Sequence, residues 1–81
     1  MVAKPHRSLG RIAQEIYADW GDKVNFAAKP YLRAMAVMHS VRDNYYHDSG
    51  REIVVRFLSN AGAWRGDKAK AIKAELKEML K

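Results

Sequence analysis

Residues 67–81 leave the chain little choice of local structure. Ala69, Ile72, Leu76, Met79 and Leu80 recur at helical spacing and form one apolar stripe. Lys70, Lys73, Lys77 and Lys81 recur at nearly the same spacing and form a basic stripe on another face, partly balanced by Glu75 and Glu78. Asp67 precedes the pattern and suits an N-cap, because its carboxylate can accept free first-turn N–H groups. A helix with one oily side and one cationic side requires a core to pack on and attracts anions.

Three further segments read the same way. Leu9, Ile12, Ala13, Ile16, Tyr17 and Trp20 fall on one helical face over residues 8–20, with Gly21 as a stop. Gly10 weakens the start of that helix. Residues 22–29 form a linker with an apolar cluster of Val24, Phe26, Ala27 and Ala28. Pro30 suits a first turn, and Tyr31, Ala34, Met35, Met38 and Val41 mark the inner side of a second helix reaching about residue 39. Asp48 or Ser49 caps a third helix, with Glu52 as capping-box partner. Its inner face is Ile53, Val54, Phe57, Leu58 and Ala61, and Gly62 ends it. Residues 53–58 are β-branched enough for a strand, but no second strand offers itself for pairing. The expected fold is therefore all-α: a single compact domain of about four short helices over residues 9–81, closed by Trp20, Tyr31, Phe57 and Trp64, behind a flexible basic arm at 1–8.

Size and charge bound the function. A chain of 81 residues buries only about 60–65% of its unfolded surface, leaving little room for an enclosed cofactor pocket. Cysteine is absent, so no disulfide or thiolate chemistry is available. No apolar run approaches the roughly 18–20 residues that cross a bilayer, and the first residues lack the apolar core of a secretory signal. A net charge of +6 and a pI near 9.8 favour polyanionic partners.

Chemistry-bearing patterns are sparse. His6, His39 and His47 lie in separate segments without metal-ligand spacing. Ser40, Ser49 and Ser59 have no nucleophile-elbow context, and no glycine-rich phosphate loop occurs. The expectation is a non-enzymatic binding module with no metal and no cofactor. Gly62 and Gly66 bracket Trp64 and Arg65, which reads either as a structural corner or as the turn of a helix-turn-helix. Arg51, Arg56, Arg65, Lys70, Lys73 and Lys77 are the candidate phosphate contacts, and the last helix, whose exposed face has lysine but no Arg, Asn or Gln, is suited to positioning on nucleic acid rather than to reading bases. Tyr45 and Tyr46, beside Arg42 and Arg51, can stack bases or anchor a protein interface.

Ile16-Tyr17-Ala18-Asp19-Trp20, Pro30-Tyr31-Leu32-Arg33-Ala34-Met35, Asp48-Ser49-Gly50-Arg51-Glu52-Ile53-Val54, Phe57-Leu58-Ser59-Asn60-Ala61 and Trp64-Arg65-Gly66 together resemble a group of small bacteriophage and prophage proteins. The resemblance covers nearly the whole chain from Leu9 and leaves out the basic arm. It implies a phage origin and a bacterial cytoplasmic setting, and it carries over no residue with a known role. Two partner classes follow as expectations. One is nucleic acid, held through its phosphate backbone. The other is an acidic bacterial host protein, docked on Arg42, Tyr45 and Tyr46. A homo-oligomer built on an apolar helix face is a third reading, and the sequence leaves the oligomeric state open.

Overall fold

A computed structural model describes residues 7–81. It contains helix α1 (Leu9–Trp20), a 3₁₀ turn (Gly21–Lys23), helix α2 (Lys29–Met35), strands β1 (Asn44–Tyr45) and β2 (Asp48–Ser49), helix α3 (Gly50–Ser59) and helix α4 (Asp67–Met79). Helix α1 packs against α2 and α4, and α2 packs against α3.

The apolar stripes meet as their spacing requires. Leu9, Ile12, Ala13, Ile16 and Trp20 are buried on α1, Ile53, Val54 and Phe57 on α3, and Ala69, Ile72, Leu76 and Met79 on α4. Trp20 and Trp64 stack with ring centroids 5.6 Å apart, and the Phe57 ring meets both edge-on. Tyr31 is only half-buried at the margin of this core. Ser8 and Ser49 cap α1 and α3 by accepting from the N–H groups of Arg11 and Glu52.

The molecule is mainly α rather than all-α. β1 and β2 pair antiparallel, Asn44 opposite Ser49 and Tyr45 opposite Asp48. Tyr46 and His47 close this hairpin without the glycine or asparagine that usually marks such a turn, so Tyr46 takes φ 57°. The hairpin is held from outside its own turn. The N–H groups of Gly50 and Arg51 donate to the carbonyls of Asp43 and Val41, at 2.6 and 3.0 Å.

Helix α2 is shorter than its periodicity suggests, for a related reason. The chain leaves the helix after Met35, and the carbonyls of Met38 and His39 then accept from Gly10 and Leu9, each at 2.9 Å. Those are orphan donors of α1's first turn, which a longer α2 would leave unpaired. Gly10 sits inside α1 because a Cβ there would lie 3.0 Å from the Ala36 carbonyl. Gly50 is tighter, since a Cβ would lie 2.7 Å from the Ser40 carbonyl. At α4 the N-cap is Gly66, at φ 113°, and Asp67 is the first helical residue. Its carboxylate still favours the positive end of the helix dipole. Gly62 has no left-handed conformation, and α3 closes at Asn60. Among the described residues no helix is long and apolar enough to cross a membrane.

Candidate polyanion-binding surface

The junction between α3 and α4 is a packed corner. Trp64 is buried, and its indole N–H donates to Asp19 Oδ2 at 2.8 Å. Lys73 points into this corner rather than outward. Its Nζ donates to the carbonyls of Ala61 at 2.7 Å and Trp64 at 2.6 Å, and lies 5.8 Å from the Trp64 ring centroid. Burial holds its ammonium below the ordinary lysine range, and the like charges of Lys77 and Arg65 lower it further. Lys73, Lys77 and Arg65 therefore form one cationic cluster.

The other α4 lysines named from sequence, Lys70 and Lys77, are exposed and make no ion pair among the described residues. Arg65 stands just before the helix and lines an open cavity of about 430 Å³ with Asp19, Trp20, Lys23 and Trp64. At the other end Arg51 donates from Nη2 to the Leu80 carbonyl, which caps α4 while keeping the guanidinium charge at its C-terminus. Arg65, Lys70, Lys77 and Arg51 thus follow α4 from end to end, over roughly 20 Å at about 1.5 Å per residue, while Lys73 is taken up by the corner. Arg56 lies in the last turn of α3.

Arg42, Tyr45 and Tyr46 belong to the hairpin. The two tyrosine rings meet edge-to-face with centroids 4.7 Å apart, Tyr45 half-buried against the core and Tyr46 85% exposed. Arg42 is exposed and lines a separate cavity of about 460 Å³ with Arg7, His39, Glu78 and Lys81.

Most carboxylates are engaged inside the molecule. Glu75 receives Arg7 at 2.6 and 3.1 Å, and Glu15 pairs with Arg7 as well. The hydrogen bond to Glu75 is the largest influence raising the Arg7 pKa above its ordinary value. Ser8 and Arg7 are thereby tied to the fold, while the rest of the expected N-terminal arm, 1–6, lies outside the described residues. Asp43 Oδ2 accepts from the backbone N–H groups of His39 and Ser40, Asp19 accepts from Trp64, and Glu78 pairs with Lys81. Among the described residues only Asp22, Asp48, Glu52 and Asp67 have carboxylates without such a contact. Many more cations are without one, so the outward field is positive.

One surface feature was hidden in the sequence. Val24 and Ala28 of the linker cluster are buried, but Phe26 between them is 90% exposed. The signal is Asn25, a turn former placed between two apolar residues that face inward. Among the described residues no group of three or more His, Asp or Glu side chains is placed to hold a metal ion. No protein-family model, curated protein or solved structure matches this chain.

Proposed function

We propose that this protein is a small binding module for nucleic acid, engaged mainly through the phosphate backbone. The observation that supports this reading is the separation of charge. Five of the nine carboxylates are engaged in internal pairs and turns, while Arg65, Lys70, Lys77 and Arg51 present positive charge along one helix. A row of roughly 20 Å is long enough to meet several phosphates of one strand. Phosphate contacts from such a row position the protein without reading sequence. The likeness to small phage and prophage proteins supports a phage-encoded origin and action inside a bacterial host. Fluorescence anisotropy with a labelled duplex and a labelled single strand tests the reading. Binding at low salt that weakens steeply toward about 0.2 M supports it, and absence of binding at low salt overturns it.

A second reading rests on Tyr46. An aromatic ring 85% exposed, on a residue held at φ 57° in the hairpin, suits an anchor for an acidic host protein. In that case Tyr46→Ala abolishes capture of the partner, and the α4 lysines are dispensable.

A further inference from the structure

Phe26 is the most exposed large apolar side chain among the described residues, and the turn that carries it is fixed. Asn25 Oδ1 accepts from the Ala28 N–H at 2.8 Å, and the Asn25 carbonyl accepts from Ala28 and Lys29 at 3.1 and 3.2 Å. Asn25 Nδ2 donates to the Asn60 carbonyl at 2.7 Å, which locks the turn to the end of α3. The ring is therefore presented on a preorganised support, and little freedom is lost when it engages a partner.

Basic residues follow the turn in the chain. Lys29 and Arg33 line an open cleft of about 420 Å³ with Tyr17, a 43% exposed ring. Asp22 is the one carboxylate of that cleft. The turn is tied through Asn25 to the Asn60 carbonyl, and Arg56 lies one helical turn before Asn60 in α3. Lys29, Arg33 and Arg56 have no ion-pair partner among the described residues.

We infer that Phe26 is a base-stacking platform and that the nucleic acid this protein prefers is single-stranded. This rests on the nucleic-acid reading above and adds the strand type. A duplex hides the faces of its bases and leaves a bare phenyl ring nothing to stack on, whereas a single strand offers them. Phenylalanine has no polar tip, so it cannot read base edges, and the preference is for strand form rather than sequence. Lys29, Arg33 and Arg56 supply phosphate contacts.

The test compares a labelled oligothymidine strand of about 12 nucleotides with a duplex of the same length, by anisotropy at low salt and at about 0.2 M salt. The proteins are the unmodified chain, Phe26→Ala and Phe26→Trp, each checked by circular dichroism and thermal melting. The unmodified chain is expected to bind the single strand more tightly than the duplex. Phe26→Ala is expected to weaken single-strand binding roughly 5- to 150-fold, leaving duplex binding and the salt slope unchanged. Phe26→Trp is expected to retain or strengthen it. Salt-dependent binding of both probes that is indifferent to Phe26→Ala overturns the stacking platform and leaves the basic row standing. No binding of either probe by the unmodified chain overturns both.

Discussion

Lys73 Nζ donates to the Trp64 carbonyl at 2.6 Å, so the one lysine of the α4 stripe that turns inward closes the corner that α4 departs from. The same ammonium reaches the Ala61 carbonyl at 2.7 Å and neutralises the end of α3. Charged hydrogen bonds of this kind contribute about 1.5–3 kcal/mol each at most, and partial exposure reduces that. Lys73→Met is therefore expected to destabilise the fold by about 1–3 kcal/mol in urea unfolding. Lys70→Gln and Lys77→Gln, on the solvent side, are expected to stay within about 0.5 kcal/mol. Equal losses at all three positions would contradict the inward role of Lys73.

The glycines separate by the room around them. At Gly50 a Cβ would lie 2.7 Å from the Ser40 carbonyl and 2.9 Å from Val41 Cα, both backbone atoms. Gly50→Ala is expected to cost about 1–3 kcal/mol, because backbone must shift. Gly62 has open space and no left-handed φ. Gly62→Ala is expected to be neutral or to stabilise by about 0.4–1 kcal/mol through the unfolded chain. Thermal melting of the two variants checks the contrast.

Tyr46 holds a backbone conformation that an L residue adopts at a cost of order 1–3 kcal/mol. Its edge-to-face contact with Tyr45 returns only about 0.5 kcal/mol at so exposed a site. The strain outweighs the contact, so Tyr46→Asn is expected to raise stability by up to about 1 kcal/mol. A drop in stability would show that the ring contact dominates instead.

Lys73 also sets a pH dependence. Burial first, then Lys77, then Arg65 depress its pKa below the ordinary lysine value of 10.5. In the window between that depressed pKa and the unfolded value, the unfolded chain binds a proton that the folded chain has released. The increment of stability linked to releasing this proton therefore rises with pH through that window and is lost as pH falls through the folded pKa, where the ammonium keeps its hydrogen bonds to the Ala61 and Trp64 carbonyls. Lys77→Gln is expected to raise the Lys73 pKa, and Arg65→Gln to raise it less, read from the pH dependence of the Lys73 side-chain NMR signals. Unchanged titration in both variants would show that the three cations do not form one cluster.

The stripes were legible in the sequence because they are local, and the cap of α3 was narrowed to Asp48 or Ser49. The burial of Leu9, Ile12, Ile16 and Trp20 follows from spacing, and Ser49 accepts from Glu52 N–H as its position predicts. The hairpin and the early end of α2 were not legible, because distant backbone partners decide them. Leu9 and Gly10 need the His39 and Met38 carbonyls, and Gly50 needs that of Asp43. The candidate surface divides along the same line. Lys70 and Lys77 face outward as helical spacing implies, whereas the inward turn of Lys73 depends on carbonyls 9 and 12 residues away. Phe26 was obscured by its apolar neighbours, since only the Asn25 bonds show that the chain turns it outward.

The central claim is that the α4 row contacts phosphates. The most direct measurement is the slope of log binding constant against log salt for the unmodified chain and for the Lys70→Gln/Lys77→Gln double variant on one labelled DNA. Each phosphate contact contributes roughly 0.7–0.9 to that slope. The account predicts a slope shallower by about 1.4–1.8 in the double variant, with folding stability unchanged. An identical slope for the two proteins, or no binding by the unmodified chain at low salt, would contradict it.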